Sequence, residues 1–186
     1  MRRPLVPPDP PLRDGDLLLR PSTERDAAAI REVYSEPDIR CWMGWDDQIP
    51  DEAEARANIE RAAVAWRDET WAVFRIVDAA TDGVVGGVNV RFGEFRIGEV
   101  SYFLRASARG RGLATRAVRL VSRWAFDELG IERLELRVHP ENDASRRVAE
   151  RAGFQREGIE RASRPWPDGT RFDSIVFSLL PEDSVP

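Results

Sequence analysis

Residues 109–115 carry the sequence RGRGLAT, a glycine-rich turn that decides the fold prediction. An apolar run at residues 100–104 precedes it and predicts a strand, and an amphipathic run at residues 113–129 follows and predicts a helix. Such a turn leaves backbone N–H groups free at the helix N-terminus, where the helix dipole favours an anion. Gly110 and Gly112 let the backbone approach a ligand closely. The segment therefore predicts a site for a phosphorylated ligand.

Several kinds of phosphate-binding turn contain glycines in this pattern. Arg109 and Arg111 add guanidinium groups that suit phosphate. A Walker P-loop requires a lysine, and the chain contains none. A Rossmann turn would have glycine or alanine where this chain has Thr115, and it would follow the first strand of a domain. An arginine-rich surface turn that binds nothing stays open as the alternative at this point.

Segments on both sides of the turn carry a resemblance to a known family. They are LLLRP at residues 17–21, EVSYFL at 99–104, LELRVHPEN at 134–142, NDAS at 142–145 and AGFQREG at 152–158. In this combination the chain resembles the GNAT acyltransferases, most closely their RimJ/RimL-like branch, over residues 15–181. Arg109, Gly112 and Ala114 match that family's pyrophosphate-loop pattern, (Gln/Arg)-x-x-Gly-x-(Gly/Ala).

The resemblance implies an α/β GNAT fold. Its mixed, mostly antiparallel central sheet would be flanked by about four helices, and splayed strands would form the acyl-CoA cleft. Hydrophobic periodicity predicts strands at residues 17–20, 71–77, 84–92, 97–105, 133–138 and 171–180, and helices at 24–35, 51–68, 113–129 and 144–152. Residues 1–14 are rich in proline, so we expect a flexible tail there and a single domain over residues 15–186.

Composition narrows the classes of partner and the compartment. The net charge of −5 argues against nucleic acid and favours a cationic substrate. A single cysteine, Cys41, excludes an intrachain disulfide and suits a reducing cytoplasm. We find no apolar stretch long enough to span a membrane, and we expect no membrane partner. Exposed strand edges allow a homodimer.

The resemblance further implies acetyl-CoA as the co-substrate and no metal. Backbone N–H groups of residues 111–115 would hold the pyrophosphate, while the strand ending at Leu104 would pair with pantetheine. The residues expected to contact acetyl-CoA are Phe103, Leu104, Arg109, Gly110, Arg111, Gly112, Leu113, Ala114, Thr115, Asn142 and Ser145.

Acetyl transfer to an amine also needs a base for the amine and a proton for the leaving thiolate. The resemblance places Glu99 beside the cleft as the candidate base and Ser145 beside the thiol as the candidate proton donor. Asn142 and Ser145 also suit a helix cap and a first-turn position. An α-amine with a pKa near ~8 costs only about 1.4 kcal/mol to deprotonate at pH 7, so a weak base would suffice.

The acceptor site is the least defined part of the sequence. Trp42, Trp45 and Trp166 fall in predicted loops near the acceptor side, and we expect them to line the acceptor pocket. Asp46, Asp47 and Asp173 could meet a cationic amine, although turn capping explains them equally well. We interpret His139, the single histidine, as a bystander rather than a base.

These observations predict an acetyl-CoA-dependent N-acetyltransferase. The amine would attack the thioester directly in a ternary complex, and Cys41 lies outside the motifs, so no covalent enzyme intermediate is expected. Two acceptors stay open: the α-amine of a protein or peptide, and a small-molecule amine. A non-catalytic acyl-CoA-binding regulatory module is the alternative from a different functional class.

Overall fold

The computed structural model describes residues 4–44, 49–166 and 168–183. Within these ranges eight strands form one sheet in the spatial order β1-β2-β3-β4-β5-β6-β8-β7. The strands are β1 (Leu12–Asp14), β2 (Leu17–Arg20), β3 (Trp71–Asp78), β4 (Gly83–Phe92), β5 (Ile97–Leu104), β6 (Arg133–Val138), β7 (Gln155–Pro165) and β8 (Arg171–Leu179). The helices are α1 (Ala27–Tyr34), α2 (Pro37–Met43), α3 (Glu52–Arg67), α4 (Leu113–Leu129) and α5 (Asp143–Arg151). The mixed α/β sheet expected from the resemblance is confirmed, with five helices instead of about four.

Strand pairing is antiparallel throughout the described sheet except between β5 and β6. These two strands run parallel and stay in register only from Ile97↔Arg133 to Glu99↔Glu135. Beyond Glu99 they diverge, so residues 100–104 of β5 have β4 on one side and no paired strand on the other. The backbone N–H and C=O groups on that edge of β5 are therefore available to a ligand.

Alternation along the strands gives the sheet two different faces. Residues such as Phe74, Val88 and Val100 pack with α4 in the main core, which we call the α4 face. The residues between them, such as Arg75 and Phe103, contact the helices near the N-terminus, which we call the α1 face. Hence Glu99 and Ser101 lie on the α1 face, whereas Tyr102 lies on the α4 face.

Helix α4 forms where apolar residues recur at helical spacing. Its buried side includes Leu113, Ala117, Val121 and Trp124, so this helix covers the centre of the sheet. Glycines in left-handed conformation flank it: Gly112 at the N-cap has φ 73° and ends the turn after β5. That turn directs the helix N-terminus toward the diverging strands.

The predicted flexible tail differs from the structure. Leu12–Asp14 pairs with β2, and Leu5 is 5% exposed and belongs to the main core. Arg116 of α4 holds this segment through ion pairs with Asp14 and Asp16. The described part of residues 1–14 is therefore docked on the domain, because a buried leucine and two charge pairs offset the cost of ordering it.

Candidate active site

The glycine-rich turn ends at a helix N-terminus with free donors. Gly110 and Gly112 have φ of 79° and 73°, and a Cβ at either position would meet nothing within 4 Å. The backbone N–H groups of residues 110–115 find no acceptor among the described residues, as expected for a first helical turn. The turn therefore presents converging donors to open space, an arrangement that suits a pyrophosphate.

A cavity of about 370 Å³ lies in front of these donors and runs to the divergence of β5 and β6. Leu104 and Phe103 form one wall, and Asn142 and Ser145 form the opposite wall. From the predicted cofactor contacts, the cavity wall contains Phe103, Leu104, Arg109, Gly110, Gly112, Leu113, Ala114, Thr115, Asn142 and Ser145. We call it the cofactor cavity.

The two arginines of the turn pair with carboxylates in this structure. Arg109 bonds Asp38 of α2 at 2.8 Å and the carbonyl of Leu104 at 3.1 Å. Arg111, which is not part of the cavity wall, bonds Asp16 and Asp78 at 3.3 Å. Both guanidinium groups are therefore paired with carboxylates in this structure, and their contact with phosphate stays a prediction.

Two further arginines, which the sequence analysis did not select, lie on the cavity as well. Arg147 and Arg151 of α5 line it, are exposed, and pair with no carboxylate in the described ranges. Their spacing of four residues places them on one helical face, which is the signal that could have identified them. They supply the positive charge expected for a phosphorylated ligand.

Asn142 and Ser145 are positioned by the start of α5. The Asn142 side chain accepts a hydrogen bond from the Ser145 backbone N–H at 2.9 Å, so Asn142 is the helix cap. This cap fixes Ser145, whose Oγ lies 2.8 Å from the Tyr102 hydroxyl across the cofactor cavity.

Tyr102 is the site residue that the sequence analysis missed. Its hydroxyl also donates to the Ser145 carbonyl at 3.2 Å. Burial raises the pKa of Tyr102 to about 12, so the phenol stays protonated at neutral pH. Alternation along β5 could have revealed that Tyr102 shares a face with the helix carrying Ser145, opposite to Glu99.

Glu99 lies on a second cavity of about 410 Å³, which shares Tyr102, Asn142 and Ser145 with the cofactor cavity. Its carboxylate accepts hydrogen bonds from Arg164 of β7 and from Arg137 of β6, the latter at 3.5 Å. Arg137 also bonds Glu135 at 2.8 Å and Glu160 at 2.9 Å. These arginines hold the Glu99 carboxylate at the point where β5 and β6 separate.

An aromatic cluster forms the outer end of this second cavity. The ring of His139 lies 5.5 Å from Trp42, 5.4 Å from Trp166 and 4.8 Å from Phe172, centroid to centroid. Trp42, on helix α2 rather than in a loop, lines both cavities. Trp166 packs behind the histidine without lining either one. The structure therefore brings together two of the three tryptophans assigned to the acceptor pocket.

The remaining candidates lie elsewhere. Asp173 accepts the Ala162 backbone N–H at 2.8 Å, so it caps the irregularity between β7 and β8. Cys41 is exposed on α2 and lines neither cavity. Trp45, Asp46 and Asp47 lie outside the described residues. In the described ranges, His, Cys, Asp and Glu side chains form no cluster that could hold a metal ion, and no helix is long and apolar enough to cross a membrane.

Comparisons with known proteins agree with this geometry. A family model described as "Acetyltransferase (GNAT) domain" matches residues 16–155. The "Probable N-acetyltransferase YjcK" of Bacillus subtilis is 37% identical over 141 residues, which cover 74% of this chain and 77% of that protein.

Two solved structures have the same fold. Mycobacterium smegmatis RimJ in complex with CoA-disulfide is 24% identical, has a TM-score of 0.81 and aligns over 89% of this chain and 82% of its own. The ribosomal-protein-S5-alanine acetyltransferase of Vibrio fischeri is 20% identical, has a TM-score of 0.82 and aligns over 95% of this chain and 99% of its own.

Proposed function

Since the chain belongs to the GNAT acetyltransferase family and is an acetyl-CoA-dependent N-acetyltransferase, we propose that its acceptor is the α-amine of a peptide or protein N-terminus. The observation that carries this proposal is the form of the acceptor side. The cavity beside Glu99 shares Arg164, Ser101 and Met43 with a further cavity of about 700 Å³ on the α1 face. Two adjoining cavities accommodate a chain that extends beyond its reacting amine, whereas a single small amine needs only an enclosed pocket.

The cofactor cavity fits acetyl-CoA. Free N–H groups of residues 111–115 would hold the pyrophosphate, with Arg147 and Arg151 beside them for further phosphate charge. The edge of β5 beyond Glu99 has no strand paired to it in the described sheet, and its end at Phe103 and Leu104 would bond to pantetheine as a strand does once Arg109 releases the Leu104 carbonyl. Bound there, acetyl-CoA supplies a thioester carbonyl carbon at the divergence of β5 and β6.

The two faces of the sheet separate the two proton-handling groups. Glu99 on the α1 face would accept the proton of the acceptor ammonium, which leaves the amine nitrogen free to form its bond to the thioester carbon. The backbone of β5 lies between Glu99 and Tyr102, where an N–H group can polarise the carbonyl. This arrangement supports direct attack in a ternary complex.

Ser145 would assist the leaving group as the carbon–sulfur bond breaks. Tyr102 keeps its proton, and the phenol that donates to the Ser145 carbonyl in the structure can rotate to donate to Ser145 Oγ instead, which frees the serine O–H to point at the sulfur. The thiolate is protonated through this hydroxyl, which regains a proton from solvent, while the second proton that the nitrogen loses as the amide forms passes to Glu99 after Glu99 has released the first one to solvent. Ser145 is thus the proposed catalytic residue on the α4 face and Tyr102 its positioning residue.

The test is thiol release from acetyl-CoA over a panel of acceptors. The panel contains peptides with free α-amines, the same peptides with blocked N-termini, lysine side-chain amines and small aliphatic or aromatic amines. We expect turnover on free peptide α-amines that disappears when the N-terminus is blocked. Turnover confined to small amines would show that the acceptor is a small-molecule amine and not a peptide. Tight acetyl-CoA binding without turnover on any acceptor of the panel would support the non-catalytic regulatory module instead.

A further inference from the structure

The 700 Å³ cavity on the α1 face contains an amide side chain without a partner. Asn89 of β4 lines this cavity. Its Oδ1 is buried and has no hydrogen-bond partner in the described parts of the chain. A buried carbonyl oxygen without a donor costs about 1–3 kcal/mol, and exchanging the O and N positions of this half-buried amide turns its oxygen toward the cavity, where a ligand N–H can reach it.

The position of Asn89 relates it directly to the reacting centre. Antiparallel register places Asn89 opposite Ser101, and Glu99 follows two residues away on the same face. Directly opposite side chains have Cβ atoms about 4.5–5.5 Å apart. One residue of extended chain spans at most about 3.6 Å. A peptide with its amine at Glu99 would therefore present its first or second peptide unit to Asn89.

The chemistry of the side chain matches a peptide unit. A carboxamide offers a carbonyl acceptor and an NH₂ donor side by side, and a peptide residue offers an N–H and a C=O. Because the side chain supplies both functions, exchanging its O and N positions leaves the match intact. An amine that is not followed by a peptide group leaves the Asn89 side chain without a hydrogen-bond partner.

The walls around Asn89 favour the same occupant. Phe103 contributes an apolar wall beside the diverging strands, and the Arg91 guanidinium lies over the Trp71 ring at 5.5 Å. Polar groups that can bond a backbone thus alternate with apolar surface that can pack against a side chain. This alternation suits an extended peptide more than a compact amine.

We infer that Asn89 is a specificity-determining residue that hydrogen-bonds the first peptide group of the acceptor, so that the enzyme selects α-amines followed by an amide. This inference depends on the proposed acceptor class and extends it. It places the selection on β4, in a side chain separate from Glu99 and Ser145, which act on the reacting atoms.

The experiment pairs one substitution with two acceptors. Asn89→Leu keeps the approximate size of the side chain and removes both hydrogen-bonding functions. The acceptors are a tripeptide with a free α-amine and its ester analogue, in which oxygen replaces the first peptide N–H. We expect the wild-type kcat/KM to be about tenfold higher for the tripeptide than for the ester, and Asn89→Leu to reduce this ratio to near one.

Acetyl-CoA affinity and the melting temperature serve as folding controls for the variant, and Arg67→Gln serves as a control charge change on exposed surface outside the cavities. A ratio that stays at its wild-type value in Asn89→Leu would overturn the inference while leaving the peptide acceptor in place. Wild-type turnover on small amines but on no peptide would overturn the peptide acceptor itself, and the inference with it.

Discussion

Two hydroxyl groups at the centre of the site, those of Tyr102 and Ser145, give the first test at the scale of single residues. They lie 2.8 Å apart, and burial keeps the phenol protonated. Tyr102→Phe should lower kcat about tenfold, the size of one hydrogen bond, with little change in the KM for acetyl-CoA. Steady-state kinetics in the Ser145→Ala background should show no further loss, because the effect of Tyr102 passes through the serine.

The other tyrosine offers a matched control for this prediction. The Tyr34 hydroxyl accepts a hydrogen bond from the buried Arg75 guanidinium at 3.0 Å, on the opposite face of the sheet from Tyr102. Tyr34→Phe should therefore lower stability to denaturant. An unchanged kcat in Tyr102→Phe, or equal losses in the presence and absence of Ser145, would remove Tyr102 from the mechanism.

Glu99 gives the second test at this scale. If it accepts the ammonium proton, Glu99→Gln should lower kcat/KM about tenfold at pH 7, where an α-amine with a pKa near ~8 is mostly protonated. The loss should shrink as the pH rises to about 9, because the amine is then neutral without help. The measurement is the kcat/KM of wild type and variant as a function of pH. In the control Glu160→Gln, which removes another carboxylate bonded to Arg137, the ratio of kcat/KM to wild type should not rise with pH. A pH-independent loss in Glu99→Gln would reduce Glu99 to a structural role.

At the scale of elements, the strands β6, β7 and β8 are joined by one carboxylate. Glu157 sits at a register irregularity in β7, accepts two hydrogen bonds from Arg133 at 2.8 and 2.6 Å, and accepts one from Ser178 at 2.8 Å. These donors lower the pKa of Glu157 from 4.5 to about 2. A carboxylate whose folded-state pKa is lowered stabilises the fold above its unfolded value, and this contribution is lost as the pH falls from about 4.5 to about 2.

Glu157→Gln should therefore make the urea midpoint less sensitive to pH between about 4.5 and 2 than it is in the wild type. The effect is modest, because the Glu157 side chain is 43% exposed and solvent screens the pair. Arg133→Gln should reduce the same pH dependence, since it removes the main partner. A wild-type slope that both variants retain would show that the pair does not hold these strands.

The elements also show how far the sequence alone could lead. Helix α4 and strand β6 match the predicted ranges 113–129 and 133–138, because their apolar periodicity is strong. Strand β7 was missed because most of its residues are exposed and polar, so no alternation distinguishes it from a loop. Helix α2 is seven residues long and begins at Pro37, which gave too short a pattern to recognise.

The candidate site was predicted to a similar degree, and the limits have physical causes. The turn and the cap at Asn142 depend on local chemistry, so the sequence was sufficient for them. Arg109 and Arg111 form ion pairs with residues that are distant in sequence, so no local sequence pattern predicts these pairs. Their partners are Asp38, Asp16 and Asp78. The roles of Tyr102 and Asn89 depend on the neighbouring strands and on the cavities that these residues line, which only the folded structure reveals.

At the scale of the whole molecule, the central feature is the divergence of β5 and β6, around which three cavities lie. The cofactor cavity is on one side, with the helix N-terminus and Ser145. The cavities with Glu99 and Asn89 are on the other. The account therefore depends first on acetyl-CoA occupying the turn at residues 109–115.

Titration calorimetry with acetyl-CoA tests this claim most directly. Gly112 and Gly130 lie at opposite ends of α4 with φ of 73° and 66°, and both would carry a Cβ into open space. Alanine at either position should lower the free energy of unfolding by about 1–2 kcal/mol, because both positions have a left-handed backbone conformation. We predict micromolar binding by the wild type, about tenfold weaker binding by Gly112→Ala, and wild-type affinity in Gly130→Ala. Equal affinities in the two variants, or no binding by the wild type, would contradict the account.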